Sequence, residues 1–163
     1  TVGASSGGGV TVGTDNDTFT IKVDSITSGT IALTQRAYST KVDLASEIQS
    51  QINGDTALAA SSVKVVVSYD NVSNKFLITS NRYGSASKVE MLTVESAGSG
   101  AGQSGEIGLV TGGSATTGVD VTGTINGEEA LGTGQYLTSS TGDSNGLKLL
   151  INGGGLAHEE PLP

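Results

Sequence analysis

Along the first half of the chain, apolar and polar residues alternate in short runs. In Asp17–Asp24, Phe19, Ile21 and Val23 are separated by Thr20 and Lys22, the period of a strand with one face buried. Ser28-Gly29 is expected to turn the chain, and Thr30–Thr34 alternates again through Ile31 and Leu33. The period then lengthens. Leu44, Ile48 and Ile52 fall on one helical face, Thr40 is placed to cap the start, and Asp43 sits in the first turn. Gly54 is expected to close this helix in a left-handed conformation. Asp55–Ala60 adds a short second helical turn. Beyond it, Val63–Tyr69 is a β-branched run, Asp70–Asn74 a turn, and Lys75–Ser80 its hairpin partner. Lys88–Val94 reads as a further strand, giving the order strand, strand, helix, strand, strand, strand.

The second half carries only strand patterns. Gly118–Ile125 alternates through Val119, Val121 and Ile125. Asn126-Gly127 comes next, and both residues of this pair tolerate the positive φ that a type I′ hairpin turn requires. Gln135–Ser139 and Gly146–Ile151 are two more strands around the polar turn Thr141–Gly146. The expected fold is α+β, predominantly antiparallel β with one principal helix near Thr40–Asn53, and with a β-strand-rich second lobe.

Composition sets the segment boundaries. Gly, Ser and Thr supply 25, 21 and 20 of the 163 residues, and aromatics only 4%, so the core must be built from aliphatic side chains. Ser96–Gly105 is almost entirely Gly, Ser and Ala, which cannot bury apolar area. The expected organisation is a flexible N-terminal segment 1–11, a first segment 12–94, a connector 95–105, a β-rich segment 106–154 and a tail 155–163. Charge changes at the same place. Residues 1–93 carry 7 basic and 8 acidic groups, whereas residues 94–163 carry Lys148 alone against 8 acidic groups. A total of −8 argues against nucleic acid as a partner, and no apolar run approaches the ~20 residues of a membrane span.

Each candidate chemistry is weak on its own terms. The chain has no Cys, which excludes disulfides, thiolate metal ligands and a thiol nucleophile. Gly100–Gly105 matches a G-x-G-x-x-G loop, but Glu106–Val110 after it is too short and Gly-interrupted for the helix that such a loop needs. Asp15-Asn16-Asp17 and Asp143-Ser144-Asn145-Gly146 resemble pieces of calcium loops, and neither supplies the bidentate Glu of the full motif. Turn chemistry accounts for both. His158, the single imidazole, lies in the tail, far from any core pattern. Glu128-Glu129 reads as a solvated hairpin edge that discourages strand pairing, because strand neighbours face opposite sides. Asn16-Asp17-Thr18 and Asn71-Val72-Ser73 fit the glycosylation acceptor pattern, which matters only in a eukaryotic secretory setting. No catalytic residue, metal ligand or cofactor-binding residue is assigned, and the chain is expected not to be an enzyme.

A resemblance reaches further than these patterns. Phe19–Asp24, Ser28–Leu33, Asp43–Asn53, Val65–Asp70, Phe76–Ser80 and Tyr83–Val89 together resemble the flagellin hook IN motif. Gly118–Glu128, Gly132–Leu137 and Gly146–Leu150 are similar to the segment downstream of that motif in the flagellar filament capping (FliD, or hook-associated protein 2) family. The resemblance spans most of 18–151 in the family's order. It implies a structural head region of an extracellular cap at the tip of the bacterial flagellum, exported through the flagellar channel. Its implied partners are flagellin and other copies of the cap protein. The helical heptad segments of the family are not present in these residues, so the chain is expected to be a head fragment, monomeric or weakly associated by itself. Two alternatives stand beside this: an adhesive module binding mucin or other glycans, and the outer domain of a flagellin or hook-filament junction protein.

Overall fold

The computed structural model describes residues 9–95, 107–113 and 115–152. Two units are present. Thr1–Arg82 with Ala86–Gly118 form the first, and Tyr83–Ser85 with Val119–Pro163 the second. The fold is α+β with predominantly antiparallel sheets and one main helix.

The first unit is organised around β2 (Thr18–Val23), whose Phe19, Ile21 and Val23 are buried as the alternation predicts. After β1 (Val10–Thr11) and β2 come β3 (Ile26–Thr27), β4 (Ile31–Ala32) and β5 (Ala37–Tyr38). The helices α1 (Lys41–Gly54) and α2 (Thr56–Ala60) then lead to β6 (Val65–Asp70), β7 (Lys75–Ser80) and β8 (Val89–Val94). β2 pairs antiparallel with β3, β4 and β8, with a register irregularity between Thr20 and Ile21 against β8. β6 and β7 form a separate hairpin in full six-residue register, and β1 pairs with β5.

α1 begins as the sequence indicates. Thr40 accepts from the Asp43 amide at 3.0 Å while the Asp43 carboxylate accepts from the Thr40 amide at 3.1 Å, a reciprocal capping box. Leu44, Ile48 and Ile52 are fully buried and pack with Leu58, Val63, Val65 and the β2 side chains in one core. The C-terminus differs from expectation. Gly54 stays helical, and Asp55 takes an extended conformation that ends α1 and caps α2. The reason is the Asp55 carboxylate, which accepts from the amides of Ala57 and Leu58 and, with its other oxygen, from Gly29. A left-handed glycine cap would forfeit those three bonds.

Other differences have similar causes. The turn expected at Ser28-Gly29 lies at Asp24-Ser25, with φ of 50° and 73°. Asp24 holds this conformation through tertiary bonds: its carboxylate accepts from the Ser80 hydroxyl at 2.5 Å and the Lys88 amide at 3.1 Å. Val10–Thr11, assigned to the flexible N-terminal segment, is paired with Ala37–Tyr38; residues 1–8 lie outside the described residues. The first segment also extends past its expected end at 94. Ile107 and Leu109 are buried in the first unit's core, so the connector does not mark the boundary, which falls after Gly118. Most of the connector, 96–105, lies outside the described residues.

The second unit is a meander of β9 (Gly123–Ile125), β10 (Glu128–Thr133), β11 (Tyr136–Thr138) and β12 (Lys148–Leu150), in that spatial order. Asn126 and Gly127 have φ of 54° and 80°, the type I′ turn read from the sequence, and set Ile125 opposite Glu128. Gly118–Thr122, expected to be strand, is irregular; Val121 instead donates to the carbonyl of Gly134. β10 has neighbours on both sides, but in different halves: Glu128–Ala130 pair with β9 and Leu131–Thr133 with β11, so Glu128-Glu129 have no ladder partner on the β11 side, as the hairpin-edge reading expects. Both side chains are exposed, and Glu128 accepts from the Thr141 hydroxyl at 2.6 Å.

Candidate interaction surface

The register of the second unit's sheet fixes which residues share a face. Thr133 lies opposite Tyr136 and Tyr136 opposite Leu150; Leu131 lies opposite Thr138 and Thr138 opposite Lys148. Directly opposed residues project to the same side. One face therefore carries Leu131, Tyr136, Leu150 and Lys148 among threonines, while Ile125 and Leu137 occupy the other and are buried. Leu131, Tyr136 and Leu150 are 67%, 42% and 47% exposed, and the Lys148 ammonium sits 4.1 Å from the centre of the Tyr136 ring. An exposed aliphatic and aromatic face with one cation is suited to contact with another surface. Sequence reasoning did not single out this face, although the alternation Glu129, Leu131, Thr133 after the Asn-Gly turn carries the signal.

Asp120 fastens residues 83–85 into this unit. Its carboxylate accepts from the Ser85 hydroxyl at 2.7 Å, the Ser85 amide at 3.0 Å and the Gly134 amide at 2.7 Å. Those donors, the Ser85 hydroxyl foremost, hold its pKa below the ordinary carboxylate value. The other displaced carboxylates are also anchors of local structure. Asp70 is lowered by the Ser73 hydroxyl and the Val72 amide in the β6–β7 turn. At Glu47, burial opposes ionisation, but bonds from Thr34 and Gln51 outweigh it and the pKa is lowered. Glu90 is lowered by Lys88, 2.6 Å away. Each shift comes from bonds that stabilise the carboxylate, which suits capping rather than proton transfer.

A second polar device lies on α1. Asn53 accepts from the Val65 amide at 2.8 Å and donates to the Val65 carbonyl at 3.0 Å, while Gln49 accepts from the Val67 amide at 2.9 Å. Two helix side chains thus occupy the edge of β6 where a third strand would pair. The opposite face of this hairpin leaves Val66 and Leu77 exposed, and Val72 stands at its tip, 97% exposed.

The sequence-derived motifs are dispersed. Asn16 accepts from the Gly13 amide and donates to the Thr11 carbonyl; it is buried, as is Asp17, which accepts from Gln35. The Asp15–Asp17 run is thus engaged in loop bonds, and the acceptor asparagine of its glycosylation pattern is occupied. Asn71 is exposed in the β6–β7 turn. Ser144 shares a hydrogen bond with the Ser139 hydroxyl in the loop that contains Asp143–Gly146. Among the described residues, no group of three or more His, Cys, Asp or Glu side chains could hold a metal ion. Gly100–Gly105 and His158 lie outside the described residues.

No protein-family model, curated protein or solved structure matches the chain.

Proposed function

We propose that the chain is the head region of a bacterial flagellar filament cap, a non-enzymatic extracellular module, without a cofactor, that assists flagellin assembly at the filament tip. The observation that carries this reading is the ordered resemblance of 18–151 to the hook IN motif and to the segment downstream of it in capping proteins. The division of the chain is compatible with it. The first stretch lies in the first unit but for Tyr83–Ser85, and the second lies in the second unit but for Gly118. The exposed Leu131, Tyr136 and Leu150 suit repeated, reversible contact with incoming subunits, since small patches give weak interfaces. Deleting the encoding gene in the source bacterium should yield cells that release flagellin monomers and build no filaments. Filaments of ordinary length in the deletion strain would overturn the proposal.

A second reading, glycan adhesion, draws on the exposure of Tyr83 and Tyr136, since aromatic faces stack on sugars. Retention of the chain on immobilised mucin, lost on Tyr136→Ala, would favour it over the cap.

A further inference from the structure

We infer that Asn126 is a site of spontaneous covalent modification, converting to aspartate and isoaspartate in the folded protein ahead of the other described Asn-Gly steps. The reaction needs a backbone amide nitrogen free to reach the side-chain carbonyl of the preceding asparagine. Glycine after the asparagine removes the steric barrier to that approach. Three Asn-Gly pairs lie wholly among the described residues: 53–54, 126–127 and 145–146. In a fourth, 152–153, the glycine lies outside them.

The folded chain treats the three differently. Asn53 is held at both side-chain atoms by Val65, and Gly54 belongs to α1, where each amide donates to the carbonyl four residues back. Asn145 is exposed, but the Gly146 nitrogen that would attack donates to the Ser139 carbonyl at 2.9 Å. Asn126 and Gly127 are both exposed at the tip of the β9–β10 hairpin. Among the described residues, neither the Asn126 side chain nor the Gly127 amide has a hydrogen-bond partner, since the ladder closes at Ile125 and Glu128. The three-residue β9 is a short edge strand, so the turn opens at low cost.

The step balances without a redox partner. Base removes the proton from the Gly127 nitrogen, which bonds to Asn126 Cγ; the Cγ–Nδ2 bond breaks, and Nδ2 leaves as ammonia after taking a proton from water. Water then opens the five-membered imide at either carbonyl, giving aspartate or isoaspartate. The second product carries an extra methylene in the backbone, at a turn whose geometry fixes the β9–β10 register. Either product adds a negative charge beside Glu128-Glu129.

The test is peptide mapping by mass spectrometry after incubating the full chain in mildly alkaline buffer, folded and in denaturant. In the folded protein the amide-to-acid change should accumulate at Asn126 several-fold faster than at Asn53 or Asn145. In denaturant the three rates should converge. A folded protein in which Asn145 or Asn53 keeps pace with Asn126 would overturn the inference. So would an Asn126 that stays intact when folded and reacts only in denaturant.

Discussion

Replacing Ile48 with Ala probes the packing of the first unit most directly. Ile48 is fully buried on α1, between Leu44 and Ile52, in the core that also holds Leu58, Val63 and Val65. The change deletes three carbons, and at about 0.8 kcal/mol for each the transfer contribution is ~2.4 kcal/mol. A cavity remains, because α1 is fixed at its start by the Thr40–Asp43 box and at its far end by the Asn53 clamp on β6, so little collapse is available. With the cavity penalty the loss is about 3–4 kcal/mol, inside the range measured for such truncations. For a unit of about 100 residues that is a fall of roughly 15 °C in melting temperature. Urea denaturation and calorimetry on Ile48→Ala should be compared with Val42→Ala, a change on the same helix at a 46% exposed position. The control should lose less than about 1 kcal/mol. An Ile48→Ala loss as small as the control's would mean that the helix face is not the core of this unit.

Asn53→Ala should cost about 1–3 kcal/mol, since the Val65 amide and carbonyl lose their partner, and hydrogen exchange at Val65 should accelerate; unchanged exchange would refute the clamp. Asp120→Asn should lower the melting temperature at neutral pH. Because folding depresses the Asp120 pKa, its stabilisation is present above the unfolded value of about 3.9 and lost as pH falls through the folded one. The gap between wild type and variant should therefore close in acid, and a gap independent of pH would refute the assignment. By analytical ultracentrifugation the chain should be monomeric or weakly associated at micromolar concentration. Association should rise modestly with salt, as expected for like-charged copies, and a tight, salt-independent oligomer would contradict this.

Where a structural element was determined by neighbours in sequence, it was legible. The capping box, the β6–β7 hairpin and the Asn126-Gly127 turn rest on contacts within a few residues, and the Leu44–Ile48–Ile52 stripe shows as a helical period although its packing partners are distant strands. Features set by distant partners were not. Two-residue strands such as Ile26–Thr27 and Ala37–Tyr38 are too short to show a period. The turn at Asp24-Ser25 depends on Ser80 and Lys88, more than fifty residues away. Ile107 and Leu109 flank Gly108 in a short stretch with no clear period, and only their burial reveals them as core. The exposed face at Leu131, Tyr136 and Leu150 required the register, because it is assembled from three strands. Gln49 and Asn53 are an amide pair four apart, but nothing local says that a strand edge lies beside them.

That amide pair also bears on how the protein tolerates crowding. A bare strand edge recruits extended segments from other molecules. β6 offers no such vacancy at Val65 or Val67, because α1 fills it with side chains that cannot be extended into further ladder. Concentrated solutions should therefore be spared fibre growth seeded at this edge. Substituting both amides with alanine would turn a terminated sheet into a template, and turbidity or dye-binding assays would register the change before any loss of native fold.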